Sequence, residues 1–421
     1  MEIYQLTKAQ QRIWYAQEQH KNSSLFNIGG CARIKAKANL SALQKAIEML
    51  SDSFDMLQVR FQYENYEMYQ YIEPSLLIVE TRGFETEEEF RDWCETDIRV
   101  PFVMTNSSLY RFYVFTIGDQ EIGYYVKLHH IIADGWSIKL LTEQIAKNYD
   151  SITTNHSSEN IEQFSYLEYF VKENKLRNEH NKVQCTYQNS LITSEDHTIS
   201  STDLRGKRDS YFIDPALKSQ IEVYIQKQSL SMNTFFLGIY ILTQYIMKKQ
   251  RSYVIGIPML GRYGYVERKI FGMFVSTIPV RFIIDPAMSA NDFFRSVAVN
   301  LRENFKHQKR CSNSIYENTN ASGKRNPYNI CINYYNTSMP EMIENMPVHN
   351  EELYCGEQDY AMQMIIRQWD NNQLQLDFDY QTAVFTSKEI SVLFSRLIQT
   401  LIGFFAVKFR YTMSMVQQKQ L

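Results

Sequence analysis

The 421-residue chain has only six cysteines, Cys31, Cys94, Cys185, Cys311, Cys331 and Cys355, with no CxxC pair and no histidine at metal-ligand spacing. That excludes a disulfide scaffold or a structural zinc fold, and reduced thiols in a cytoplasmic protein are expected. An excess of charge is missing too: 44 basic against 47 acidic residues leave a net charge of -3. So weak a field cannot neutralise a phosphate backbone, and no nucleic-acid partner is expected. Long apolar runs are also absent. The greasiest stretch, 235–247, is interrupted by Gly238, Thr243 and Gln244, so it reads as a buried helix, with no membrane span expected. The opening Met1-Glu2-Ile3-Tyr4-Gln5-Leu6 lacks the basic-then-apolar order of a signal peptide. No repeat or low-complexity segment stands out.

What is present is ordinary globular material, 44% hydrophobic and 14% aromatic, enough to bury a large core in two or three domains. Leu40, Leu43, Ile47 and Leu50 recur at helical spacing behind Asn39, a good cap, and an extended segment follows over 56–63. Residues 109–117 and 122–128 are aromatic and β-branched runs joined at Gly118, which predicts a hairpin. The polar stretch 155–208 carries only a short helix signal at 164–171, and the connection between domains is placed there. Beyond it, Asp214-Pro215 opens a helix, 252–258 and 275–284 read as strands, and Leu374, Leu376, Phe378 and Tyr380 alternate with polar residues. Thr386-Ser387-Lys388-Glu389 is a capping box for the last long helix.

The hairpin runs directly into His129-His130-Ile131-Ile132-Ala133-Asp134-Gly135. By chance this HHxxxDG pattern occurs on the order of once in a thousand chains of this length. Alternation along the second strand places His130 on the face of Tyr124, Val126 and Leu128, and His129 on the face of Lys127, so the two rings point apart. Ile138, Leu141, Ile145 and Tyr149 then share a stripe, so a helix begins near Ser137, capped by Asp134 or Ser137.

A neutral imidazole at such a corner can take a proton from an amine or hydroxyl, or hold the nucleophile against an activated carbonyl, without a metal. The candidate catalytic residues are His130, His129, Asp134 and Gly135. Asp134, too far along an extended strand to reach His130, is assigned a structural part, buried against an arginine or capping the helix. Gly135 is expected to free the chain for a sharp entry into the helix, whose first N–H groups lie near any developing oxyanion. The reaction class is acyl transfer. Trp136 either touches an acceptor or packs the helix start.

This corner resembles the active-site motif of nonribosomal peptide synthetase condensation domains, and the likeness continues along the chain. Leu6-Thr7-Lys8-Ala9-Gln10-Gln11-Arg12-Ile13-Trp14 is similar to the family's opening helix, and Ser53-Phe54-Asp55-Met56-Leu57-Gln58-Val59-Arg60-Phe61 to its second motif. Tyr166-Leu167-Glu168-Tyr169 stands where the family has a tyrosine-rich segment. Ile255-Gly256-Ile257-Pro258-Met259-Leu260-Gly261-Arg262 resembles the IGxPxxGR segment, and 270–281, containing Ser276, the one after it. His307-Gln308 and Asn333-Tyr334-Tyr335-Asn336 are similar to the closing motifs.

The resemblance implies an α/β fold of two chloramphenicol-acetyltransferase-like subdomains, here 1–165 and 166–421, in a V-shaped pseudo-dimer with a central tunnel. It also implies that His130 is the catalytic position, that Trp136 and Ser276 face substrate, and that Arg262 is structural. Gln58 replaces an arginine usual in the second motif, so Asp134 is expected to pair with Arg262 or Arg60. Gln184-Cys185-Thr186-Tyr187 replaces a usual Phe-Trp.

The implied reaction is amide formation between an acyl thioester and the amine of an aminoacyl group on a peptidyl carrier protein. No bound cofactor is expected, the substrates being carried on phosphopantetheine or coenzyme A. The first motif lies within ten residues of Met1. Together with 272–279 and Asn27-Ile28-Gly29-Gly30, it resembles the starter subtype of bacterial lipopeptide synthetases, fed by acyl-CoA or an acyl carrier protein. An adjoining adenylation domain and a monomeric excised domain are expected. Alternatives in the same superfamily are an elongation domain, a non-catalytic docking domain, an epimerization domain, and a plant-type acyltransferase, whose DFGWG motif is absent.

Overall fold

A computed structural model describes residues 2–35, 38–65, 67–119, 121–154, 164–178, 201–321, 328–335, 337–369 and 372–406, with backbone alone at 173–178, 307–321 and 369. The expectations placed on Gln184-Cys185-Thr186-Tyr187 and Asn336, and on the side chains of His307, Gln308 and Cys311, lie outside the described residues. Among the described residues, Cys31, Cys94, Cys331 and Cys355 are buried and form no disulfide.

The chain forms two compact units, and neither is continuous. The first comprises Met1–Lys182, Leu260–Val275 and Thr337–Glu357; the second comprises Val183–Met259, Ser276–Asn336 and Gln358–Leu421. The division expected from sequence, 1–165 and 166–421, follows the chain once. The folded chain returns twice to its first unit, through a strap (260–275) and an inserted segment (337–357).

In the first unit a six-stranded sheet has the order Met342–Ile343, Met346–Glu352, Asn27–Ile34, Glu121–His129, Tyr110–Ile117, Val79–Phe84. It is antiparallel except at the last pair. Alternation decides its two faces. Phe112, Val114, Tyr124, Val126 and Leu128 pack with Leu43, Ile47, Leu141, Ile145 and Tyr149 of the helices Leu40–Glu48 and Gly135–Thr154. On the other face Cys31, Tyr113, Phe115 and Tyr125 meet Phe90 and Cys94 of the helix Glu87–Ile98. The expected caps are present: Asn39 accepts from the Ala42 N–H at 3.0 Å. The first helix, Lys8–Gln19, carries a Thr7–Gln10 capping box. Part of the extended stretch expected over 56–63 is instead a 3₁₀ turn, Asp55–Gln58, before the strand Val59–Glu64.

The inserted strand Met346–Glu352 pairs with Asn27–Ile34, and the backbone contact there is close. A Cβ on Gly30 would lie 2.0 Å from the Glu351 carbonyl oxygen, and one on Gly29 2.0 Å from that of Val126. The Gly29-Gly30 pair is thus a steric requirement of a strand squeezed on both sides.

The second unit carries a mixed six-stranded sheet with the order Ser276–Ile283, Ser252–Met259, Ile330–Tyr334, Met362–Trp369, Gln373–Gln381, Gly206–Phe212. Its apolar face packs against the helices Pro215–Gln228, Met232–Lys248, Ala290–Ala321 and Ser387–Ala406. Asp214 caps the first of these as expected, accepting from the Ala216 N–H at 2.9 Å. Among the described residues one helix, Ser387–Ala406, is long and apolar enough to cross a membrane. Its Ile390, Leu393, Leu397, Leu401 and Phe404 are buried in the unit's core, as in any core helix.

Candidate active site

His129 ends the motif strand, and the chain turns at His130. The His130 N–H donates to the Phe26 carbonyl at 2.7 Å, which fixes the backbone of the turn. The residue is half-buried, and its Nδ1 is buried without a hydrogen-bond partner among the described residues. Burial lowers its pKa; the Asp134 carboxylate and backbone carbonyls at 130 and 133 pull the other way. The ring is therefore neutral near pH 7 and able to accept a proton.

His129 is differently placed. It is buried, its Nδ1 accepts from the Ile131 N–H at 3.1 Å, and its Nε2 lies 3.1 Å from Gln17 Oε1. An acceptor role at Nδ1 puts the proton on Nε2, which donates to Gln17. Burial, then the neighbouring His130, push its pKa down to about 3. Grouping His129 with the catalytic residues is therefore corrected: both nitrogens are engaged within the protein, and the ring acts as a fixed neutral support.

Asp134 is fully buried and holds the strap. Its Oδ1 accepts from the Ser137 N–H at 2.9 Å, the Ser137 hydroxyl at 3.0 Å and Arg262 Nη2 at 2.9 Å, and its Oδ2 from the Phe274 N–H at 3.0 Å. Of the two arginines considered, Arg262 is the partner. Arg60 instead donates to backbone carbonyls of 57 and 59 and pairs with Glu73. The Arg262 guanidinium also donates to the carbonyls of Glu267 and Ile270, each at 2.6 Å, and of Gly272 at 3.0 Å, and lies over the Phe274 ring. Asp134 both caps the motif helix and anchors the strap. With its oxygens taken up in this way Asp134 has the surroundings of the structural part expected of it, buried against an arginine and capping the helix.

The expectation for Gly135 is also corrected. It is exposed, its φ lies outside the left-handed region, and an added Cβ would meet nothing within 4 Å. No backbone strain requires glycine there. A positive φ of 71° occurs instead at Gly261, where a Cβ would lie 2.3 Å from the Phe274 carbonyl oxygen. The Trp136 indole N–H donates to the Arg268 carbonyl at 2.8 Å, a bond between the helix start and the strap. Ser276 opens a strand of the second unit, paired with Met259. Among the described residues no group of three His, Cys, Asp or Glu side chains is placed to hold a metal ion.

The sequence pointed to Ser137 as a helix cap and to Tyr166 within a tyrosine-rich segment without showing what they hold, and it missed Gln17. Ser137 bridges Asp134, Arg262 and both the N–H and carbonyl of Gly272. Tyr166 donates to the Met273 carbonyl at 2.7 Å. Gln17 orients His129, and its only trace in the sequence is position: Gln10, Trp14 and Gln17 share one buried helix stripe.

Residues 1–407 match the condensation-domain family. The chain is 25% identical over 424 residues to surfactin synthase subunit 1 of Bacillus subtilis, covering 95% of the chain and 12% of that protein. It is 20% identical over 414 residues to the dimodular nonribosomal peptide synthase of the same organism, covering 94% of the chain and 17% of that protein. The chain thus spans a small part of these relatives' length. Among solved structures, the first condensation domain of the calcium-dependent antibiotic synthetase with a substrate analogue aligns with a TM-score of 0.85, at 18% identity and 98% coverage of both chains. The starter condensation domain of rhizomide synthetase aligns at 0.80, with 18% identity and 98% coverage of both. The fold is theirs, and with the family match over nearly its whole length the chain belongs to the condensation domains, the amide-forming acyltransferases of nonribosomal peptide synthesis.

Proposed function

We propose that the chain is a starter condensation domain with His130 as its catalytic group. The donor is a fatty acyl thioester on coenzyme A or an acyl carrier protein, and the acceptor is the aminoacyl group of a peptidyl carrier protein. The observation that carries this reading is the asymmetry of the histidine pair. His129 is locked and neutral, while His130 has a fixed backbone and a ring that burial keeps unprotonated. A variant of the rhizomide starter domain was solved with C8-CoA, which supports coenzyme A as the donor carrier.

The chemistry asks little beyond placement. The amine nitrogen attacks the thioester carbonyl, the C–N bond forms and the C–S bond breaks. The proton lost by nitrogen is taken by the His130 imidazole and passed to the leaving sulfur. Because the thioester is already activated, holding amine and carbonyl in attacking geometry supplies much of the acceleration, and a positioned base adds roughly 10²–10⁴-fold. Trp136 and Ser276 are assigned to acceptor contact. A Ser276→Ala variant is expected to raise the acceptor KM with kcat retained.

The larger synthetases among the relatives support carrier-protein and adenylation-domain partners. The test is turnover of C8-CoA with an aminoacyl carrier protein, read by product mass. An N-acylated acceptor is expected, and His130→Ala is expected to abolish it with the circular dichroism unchanged. Turnover with an aminoacyl-carrier donor but not with acyl-CoA would make the chain an elongation domain. An unchanged rate in His130→Ala would remove the catalytic assignment.

A further inference from the structure

Both histidines hang from one short loop, residues 20–26. Gln17, whose Oε1 accepts from His129, donates through Nε2 to the carbonyls of His20 at 3.0 Å and Ser23 at 3.3 Å. Phe26 supplies the carbonyl that holds the His130 N–H. Within these seven residues and their flanks the backbone makes local turn bonds, from the Ser23 N–H to the His20 carbonyl at 3.1 Å and from the Asn27 N–H to the Ser24 carbonyl at 2.8 Å.

What closes this loop comes from the far end of the sequence. The Ser23 hydroxyl donates to Glu357 Oε2 and accepts the Leu25 N–H at 3.1 Å. The Ser24 hydroxyl lies 3.2 Å from the same carboxylate oxygen and 3.1 Å from the Cys355 carbonyl. The Cys355 thiol faces the Leu25 carbonyl at 3.8 Å. Glu357 is itself presented by a tight turn: Gly356 has a φ of 82°, and the Tyr354 hydroxyl donates to the Glu357 carbonyl at 2.9 Å. Hydrogen bonds to a carboxylate are roughly twice as strong as those between neutral groups, so this oxygen is a strong acceptor for the two loop hydroxyls.

We propose that Glu357 is a positioning residue for His130. Its carboxylate pins Ser23 and Ser24, the pinned loop fixes the Phe26 carbonyl, and that carbonyl holds the turn from which the imidazole projects. The last residue of the inserted segment thereby becomes part of the apparatus that aims the ring. The inference rests on His130 carrying the reaction.

The test uses the whole chain with C8-CoA and the leucyl thioester of N-acetylcysteamine, and amide exchange at 129–131 by mass spectrometry. For Glu357→Ala, kcat is expected to fall about tenfold or more with the acceptor KM within about twofold, because small misplacements act on the attacking geometry. Exchange at the His130 amide is expected to rise at least about tenfold as its acceptor loosens. Glu357→Gln, whose amide oxygen can accept the same hydroxyls, is expected to restore most of both. The Ser23→Ala, Ser24→Ala double variant is expected to match Glu357→Ala, with no further loss when the changes are combined. Unchanged exchange at His130 in Glu357→Ala overturns the inference. So does full turnover in the serine double variant, which serves also if Glu357→Ala does not fold. Near-normal turnover of His130→Ala would overturn the underlying reading, whereas an inactive His130→Ala beside a fully active Glu357→Ala would sink the positioning role alone.

Discussion

Two adjacent imidazoles differ in setting because the strand ends between them, His129 being its last residue and His130 standing in the turn that follows. His129 goes inward to Gln17 and the Ile131 N–H, whereas His130 lies just past the strand end, half-buried. That the two rings differ was legible in the alternation of 122–130, although the strand it assumed through His130 stops at His129. The identity of each ring's partners was not, because Gln17 and Phe26 are more than a hundred positions away. Burial lowers the His130 pKa, so if this ring carries the reaction the acid limb of the rate profile is expected below the ordinary histidine value of 6.5, and a limb above 6.5 would contradict that assignment. His129 bears on stability. Its folded pKa is depressed from 6.5 to about 3, so below pH 6.5 the unfolded chain binds a proton that the folded chain refuses. Stability conferred by the neutral ring is therefore complete above pH 6.5 and declines as pH falls toward 3, by at most about 1.4 kcal/mol per pH unit. Urea unfolding at pH 7, 5.5 and 4.5 should show that slope, and His129→Asn should flatten it.

At the scale of elements, the strap and the inserted strand complete the first unit. The strap's anchor is a fully buried ion pair, Asp134 with Arg262. Removing one member leaves the other charged and unsatisfied, so Arg262→Ala is expected to destabilise the fold by about 3–5 kcal/mol in urea unfolding. Arg262→Lys should rescue little, since one ammonium cannot reach Asp134, Ser137 and the carbonyls of Glu267, Ile270 and Gly272 together. Gly30→Val would drive a side chain into the Glu351 carbonyl. Faster amide exchange over 346–352 is the expected sign of the displaced strand.

Caps and alternation were readable, as at Asn39, Asp214 and Thr386, because their causes lie within a few residues. The capping box at Thr386 accepts the Glu389 N–H at 3.3 Å as expected. The strand Met346–Glu352 was not readable. Met-Pro-Val-His-Asn-Glu-Glu has no apolar alternation and contains a proline, and its partner lies more than three hundred residues upstream. At Gln373–Gln381 the pattern revealed the strand but not the burial of its polar face. Asp377 is fully buried 2.8 Å from Arg367, and Asp379 is clasped by Arg208 at 2.6 and 2.8 Å.

For the whole molecule, composition set the class of protein and the ordered motifs set the family, while the division of the chain eluded both. A linear boundary follows from the polar stretch 155–208. The actual units interleave because 260–275 and 337–357 find their hydrogen-bonding partners in the first. Nothing local in 337–357 advertises this, and for 260–275 the one pointer was the expected pairing of Asp134 with Arg262 or Arg60. Arg262 matters through a carboxylate 128 positions earlier, and Glu357 through serines 333 and 334 positions earlier.

That return of the chain limits how such a protein can be recombined. A chimera joined anywhere in 183–200 would inherit its first unit from two parents, with the arginine facing Asp134 and the strand beside Gly30 both drawn from the second. Grafts that exchange 1–182 together with 260–275 and 337–357 should therefore stay soluble and cooperative on melting. Grafts made at a single crossover should lose a sharp transition unless the parents agree at those contacts. The same dependence makes 1–182 expressed alone an orphan, with its Asn27–Ile34 edge bare and prone to self-association.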